Sequence, residues 1–247
     1  MPGEVLLDAG CSRDVRTAVQ SVLRNVPVRV CDVGQLVEST PAVLARAPAV
    51  LIGLRNRQGL PTVAAVEKIR AVAPHLGVFV IEDLREALDL WLPRLAASGV
   101  DDAFALDRAG DDKELHAVVA NRVALSSPEL ALRQLQSLWA SCPVRQEALY
   151  CVRNGYRPRR RFDPHAWLLR KPRSLRTMFE RAGMPTPLFL SRFGRELHWQ
   201  ESAAIFSDRR VELAMLLGFD TVEQVGIERR RLRRAAEEWP ELYGFLR

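Results

Sequence analysis

Arginine, serine, threonine and glutamate recur on the polar side of two apolar-striped stretches in the second half of this 247-residue chain. In Ser174–Ala182 (SLRTMFERA), Leu175, Met178 and Phe179 share one helical face, which leaves Arg173, Ser174, Arg176, Thr177, Glu180 and Arg181 outward. In Arg209–Arg234 (RRVELAMLLGFDTVEQVGIERRRLRR), the polar residues after the central glycine begin with Thr221, Glu223, Gln224, Glu228 and Arg229. A guanidinium pairs bidentately with guanine, and small hydroxyls serve bases or phosphates, so this chemistry suits double-stranded DNA. A third cluster, Arg157-Pro158-Arg159-Arg160-Arg161, reads as an exposed basic loop whose Arg159 and Arg160 suit phosphate or minor-groove contact. Each stretch also has a plainer reading, a solvated charged face or loop.

Other chemistries find little support. The four cysteines (Cys11, Cys31, Cys142, Cys151) form no CxxC pair or clear zinc spacing and read as reduced, mostly buried thiols. The four histidines (His75, His116, His165, His198) are scattered, and His198 reads as a packing or surface residue. There is no nucleophile elbow, no phosphate-binding glycine loop, no G-x-G-x-x-G after the first strand, and no carboxylate set for a metal. The expectation is a protein that is not an enzyme and carries no catalytic residue, cofactor or metal.

The elements that would position the polar faces are helices. Leu213, Leu216 and Leu217 form an apolar stripe, and small Ala214 allows close helix approach. Gly218 ends that helix, Phe219 fills the angle, and Asp220 or Thr221 caps the next. This is a helix-turn-helix whose second helix would enter the major groove. The residues Leu213-Ala214, Leu217-Gly218-Phe219 and Asp220-Thr221 resemble the second such motif of the AraC family of bacterial transcription regulators. The resemblance covers roughly residues 130–235. It implies an upstream motif, with residues 163–169 as first helix, 174–182 as recognition helix, 183–187 as loop and 188–206 as connecting helix. On that connecting helix, Leu190, Phe193, Leu197 and Ala204 read as inner, and Arg192 and Arg195 as outer. The sequence departs from the family at Val225 and Arg229, where aromatic residues are common, and in the insertion 157–162.

The first half alternates short apolar runs with amphipathic segments. Strands are expected over 5–8, 28–31, 49–54, 77–81 and 103–106. Helices are expected over 12–24 (Ser12 as cap), 34–47 (broken at Pro41), 62–72, 84–97 and 112–125. That order predicts a doubly wound parallel sheet of α/β, flavodoxin-like class. The order, with Gly99-Val100-Asp101-Asp102-Ala103-Phe104, is similar to the receiver domain of response regulators. That family uses an acidic pair after the first strand, a phosphoacceptor Asp after the third, a hydroxyl after the fourth and a Lys after the fifth. Here Asp8 is followed by Ala9, and Gly53, Glu82 and Leu106 stand near the other three positions. Residues 49–60 contain no carboxylate at all, so the domain reads as a pseudo-receiver that cannot be phosphorylated. Asp8 reads as a surface or capping carboxylate.

Charge separates the halves. Residues 1–125 carry 14 basic and 16 acidic side chains, whereas residues 126–247 carry 22 and 14, within a formal net charge of +6. A basic half suggests a polyanionic partner there. Three segments follow: a receiver-like domain 1–125, a linker helix 126–142, and an all-α domain 143–247 with two helix-turn-helix motifs. The helix expected at 129–141, with Leu132, Leu135, Leu138 and Trp139 on one side, either packs on its own core or pairs two copies into a homodimer. No apolar run reaches about 18 residues, and the start lacks a secretory pattern, so no membrane partner and a cytoplasmic location are expected. The function expected is sequence-specific transcription regulation, with another protein or a small ligand at the first domain. The alternative is a non-enzymatic adaptor whose basic helical domain does not read DNA sequence.

Overall fold

The computed structural model describes residues 4–39, 41–55, 62–83, 85–107, 110–157, 167–168 and 171–246, with the side chains of 41, 45 and 85 left aside. The chain divides into two compact units, residues 1–124 and 125–247.

The first unit is a five-stranded, all-parallel sheet with flanking helices. In chain order the elements are β1 (Val5–Asp8), α1 (Arg13–Val22), β2 (Val28–Cys31), α2 (Val33–Ser39), α3 (Pro41–Arg46) and β3 (Ala49–Ile52). There follow α4 (Val63–Val72), β4 (Gly77–Glu82), α5 (Arg85–Ser98), β5 (Asp102–Ala105) and α6 (Asp111–Ala124). The strand order is β2-β1-β3-β4-β5, with Leu6 opposite Val50 and Leu51 opposite Phe79. Strands β1 and β3 are buried at every position, as a parallel strand covered on both faces must be, while edge strand β2 is half open. Val5, Leu7, Leu51, Phe79 and Phe104 meet Val15 and Val19 of α1 and Leu115 and Val119 of α6 in one core. Each such side chain, fully buried, contributes about 1.5–3 kcal/mol.

Local signals act as expected. The Ser12 hydroxyl accepts from Val15 N at 3.1 Å and caps α1. Pro41, which cannot donate to a helix in progress, separates α2 from α3. Asp8 is a capping carboxylate: its Oδ1 accepts from Val33 N, at the start of α2, at 3.2 Å. Asp101, in the turn before β5, is buried and pairs with Arg70 Nη2 at 2.7 Å while accepting from Val78 N at 2.9 Å. Arg70 also donates to the carbonyls of Gly99 and Leu76, so one buried pair ties α4 to the ends of β4 and β5.

The second unit is helical: α7 (Glu129–Leu138), α8 (Arg145–Arg153), α9 (Pro172–Arg181), α10 (Pro187–Ser202), α11 (Arg210–Leu216), α12 (Val222–Ala236) and α13 (Pro240–Tyr243), then a 3-10 turn at Gly244–Leu246. Two apolar clusters share α10. Leu190, Phe193 and Leu197 pack with α7, α8, α9 and the end of α12, whereas Trp199 packs with α11 and Val225. The crossing of α8 and α10 is close because Gly194 of α10 and Gly155, in the turn after α8, carry no side chain. A Cβ on Gly155 would lie 2.5 Å from Arg195 N and Ser191 O, and one on Gly194 would lie 2.7 Å from Val152 C and Cα. Several boundaries differ from expectation. Helix α7 ends at Leu138, which is exposed, and α10 ends at Ser202, which leaves Ala204 outside and exposed.

Candidate nucleic-acid interface

Helix α9 opens with Pro172 at its first turn, where a missing N–H costs nothing. It ends on Gly183, whose φ of +63° is the left-handed conformation. Met184 N donates to Phe179 O at 2.9 Å, and Gly183 N to Glu180 O at 3.1 Å, which closes the terminal carbonyls. Leu175 and Phe179 are buried, Met178 half-buried against the same core. Arg173, Ser174, Arg176, Glu180 and Arg181 are exposed and Thr177 is half-exposed, so the sequence-predicted face points outward together. Arg176 Nε sits 2.7 Å from Glu180 Oε1, one turn on, which gives the face a paired charge beside the cations of Arg173 and Arg181.

Helices α11 and α12 form the second angle. Gly218, at φ +77°, follows α11, and Phe219 N donates to Ala214 O at 2.9 Å. Leu213, Ala214, Leu217, Phe219 and Val225 form the buried corner. Thr221 Oγ1 accepts from Gln224 N at 3.3 Å, and Gln224 Oε1 accepts from Asp220 N at 3.1 Å, a reciprocal cap. Thr221, Glu223 and Gln224 are therefore exposed at the start of α12. Backbone N–H donation at its own position, then the Thr221 hydroxyl, holds the Glu223 carboxyl below its ordinary range.

Glu228 and Arg229 turn a different way from the other candidates. Arg229 Nε lies 2.7 Å from Glu196 Oε1, and Glu228 Oε1 lies 3.3 Å from Arg192 Nε. Both partners stand on α10. Burial pushes the Glu196 carboxyl up and the Arg229 guanidinium opposes that shift. The exposed basic surface of α12 lies further along, at Arg230, Arg231, Arg233 and Arg234. Those four escaped the sequence-derived set, although the run ERRRLRR with a single inward Leu232 was the available signal.

Three arginines expected in the open are accounted for differently. Arg195 is buried, donates to Gly155 O at 3.1 Å and Arg157 O at 3.3 Å, and lies over the Phe219 ring at 5.3 Å. It closes two carbonyls in the turn that follows α8. Arg157 is itself buried, not part of an open loop, and Arg192 is engaged with Glu228. His198 is a packing residue with no exposure, its ring nitrogens 3.0 Å from Ser126 O and 3.1 Å from Arg153 O. Arg159, Arg160, His165 and nearly all of the first helix expected at 163–169 lie outside the described residues. Of that helix, Trp167 and Leu168 pack against the first cluster, with Trp167 stacked on Tyr150.

At the carboxyl edge of the sheet in the first unit, Asp8 Oδ1 accepts from Val33 N, and Gly53 follows β3. Among the described residues no group of three or more His, Cys, Asp or Glu side chains is placed to hold a metal ion. All four cysteines are free thiols, and burial pushes those of Cys11 and Cys151 up to about 12. No helix among the described residues is long and apolar enough to cross a membrane. No protein-family model matches the chain, and no curated protein matches it significantly.

Proposed function

We propose that the chain is a sequence-specific, DNA-binding transcription regulator. Its second unit would carry two helix-turn-helix heads of AraC type, and its first would be a flavodoxin-like pseudo-receiver. The observation that carries the reading is the pair of outward polar helix faces joined by one buried helix. Arg173, Arg176 and Arg181 lie on α9, while Thr221, Glu223, Gln224 and the exposed arginines lie on α12. Helix α10 enters both apolar clusters, so it acts as a common strut for the two heads. A strut of 16 residues spans about 24 Å at 1.5 Å per residue, a length compatible with heads in successive major grooves. Arg159 and Arg160 would add phosphate contacts, and each good bidentate base contact about 1–3 kcal/mol. The first unit acts in protein interaction or ligand sensing, because Gly53 provides no phosphorylatable group.

Selection of binding sites from a randomised duplex library at about 0.15 M salt tests this, because non-specific attraction is already weakened there. Two half-sites about one turn apart are expected. A single short site would reduce the reading to one head. No enrichment, with binding lost as salt rises, would refute it. The second reading, a non-enzymatic adaptor with a basic helical unit, is favoured by one observation. Glu228 and Arg229 of α12 are spent on ion pairs with α10. Under that reading Arg173→Gln or Arg181→Gln leaves sequence preference unaffected, because there is none.

A further inference from the structure

The carboxyl ends of β1, β3 and β4 surround a cavity of about 340 Å³. Its lining includes Cys11 after β1, Gly53 and Leu54 after β3, Glu82 at the end of β4, and Leu90 and Trp91 of α5. The position follows from topology. With β2 on one side of β1 and β3 on the other, the connections leave on opposite faces and the loops diverge, which opens a crevice at the carboxyl edge. Gly53 leaves its floor open. A Cβ there would sit 3.5 Å from Cys11 Sγ and 3.4 Å from Arg55 O, so no side chain fills the gap between β1 and β3.

The chemistry of the lining is uneven. Glu82 is half-buried, and desolvation pushes its carboxyl above the ordinary range. Its interactions are with Asp83, whose backbone N donates at 3.0 Å and whose carboxyl faces it, and with the backbone of Leu54. Among the described residues no basic side chain pairs with it. Burial raises the Cys11 thiol most, and the charges of Asp8 and Glu82 add to it, opposed by Arg16, whose guanidinium also donates to Ala9 O. The floor is therefore an electronegative spot in a low-dielectric recess. Arg55 also lines the cavity but is exposed, so its charge is screened by solvent. The walls are apolar, Leu54, Ile81 and Trp91, with Leu90, a residue 82% exposed, at the rim.

We propose that this cavity binds a small organic amine, its ammonium seated against Glu82 and its aryl or alkyl body against Leu54, Leu90 and Trp91. A hard divalent cation is a poor match. It needs about six oxygen ligands, whereas the cavity offers one carboxylate beside a soft thiol, and Asp8 is already bonded to Val33 N. A phosphate or carboxylate would face the wrong sign of charge at the floor. The volume falls at the lower end of the roughly 300–1,000 Å³ typical of ligand sites, enough for a single ring with a short tail. The ammonium supplies a counter-charge that no described residue gives Glu82, which is the complement a half-buried carboxylate selects. This proposal stands apart from DNA reading, and its test involves no DNA.

The experiment is calorimetric titration of the full chain with phenethylamine, with 3-phenylpropionate, which keeps the ring and reverses the charge, and with ethylamine, which keeps the charge without the ring. Saturable binding of phenethylamine is expected, with each of the other two at least about tenfold weaker. Glu82→Gln, which keeps the shape, is expected to weaken phenethylamine by at least about tenfold, and Trp91→Ala to weaken it several-fold. Arg55→Gln is expected to have little effect. Comparing the three probes on the unaltered chain keeps the test open even if a variant fails to fold. Phenethylamine that does not saturate at millimolar concentration, phenylpropionate that binds equally well, or a folded Glu82→Gln chain of unchanged affinity would each overturn the proposal.

Discussion

Replacing Gly194 by alanine tests how the second unit is held together. The added Cβ would fall on the Val152 carbonyl group near the end of α8, 2.7 Å from its carbon and from Val152 Cα. Carbon atoms in good contact stand about 3.5–4.0 Å apart, so α8 and α10 must separate by about 1 Å. The obstructing atoms are backbone, and no rotamer change can relieve the overlap. Overpacking of this kind costs about 3 kcal/mol or more, at the top of its usual range. Alanine returns about 1 kcal/mol of helix propensity, which leaves a net loss of about 2 kcal/mol. For a unit of this size that lowers the unfolding midpoint by about 6–10 °C. Urea unfolding followed by tryptophan fluorescence reads this unit well, because four of the five tryptophans (Trp139, Trp167, Trp199, Trp239) belong to it. Gly244→Ala is the control, since a Cβ there meets nothing within 4 Å, and it should stay within about 0.5 kcal/mol of the parent. A Gly194→Ala chain as stable as that control would refute the close crossing of α8 and α10. If the second unit binds DNA as proposed, the loss should reach that binding too, since α10 enters both apolar clusters.

Other outcomes follow from the same geometry. If the second unit binds DNA as proposed, Arg229→Gln should leave the salt slope of that binding unchanged, because its guanidinium is engaged with Glu196, whereas Arg181→Gln should flatten it by about 0.9, as the loss of one phosphate contact would; equal slopes for both variants would contradict the assignment. Asp101→Asn should cost about 3 kcal/mol in the first unit, read by thermal unfolding, because it leaves the buried Arg70 without its counter-charge. Glu82 titrates higher folded than unfolded, so its contribution to stability is full below its ordinary value of 4.5 and is lost as pH rises through the raised value. Glu82→Gln should therefore flatten that part of the pH–stability curve and stabilise the first unit at neutral pH, and a curve parallel to the parent's would contradict this.

The strands, the helices and their ends follow from local chemistry that the sequence displays. Continuous apolar runs such as AVLI and GVFVI make strands that need cover on both faces, and they came to lie in the middle of the sheet. Ser12, Pro41, Thr221 and Gly218 act within a few residues of themselves through a hydroxyl, a missing donor or an accessible positive φ, so their roles are readable without a fold. The outward face of α9 is legible for the same reason, since helical periodicity alone separates Leu175 and Phe179 from Arg173, Arg176 and Arg181. Partnership across distance is different. Arg229 and Arg181 look alike in the sequence, yet one reaches Glu196 on another helix and the other stays in solvent. Arg195, polar in type, became buried because the turn after α8 offers the carbonyls of Gly155 and Arg157 and the corner of α11 and α12 left a ring for it to cover. Gly194 carries no signal of its close approach until α8 crosses it, and the cavity beside Glu82 exists only because three loops distant in the chain converge at one edge of the sheet. Sequence sets which side of an element is apolar and where the element stops. Which charges meet, and which space stays open, depends on where the other elements pack, and that is decided by the whole core at once.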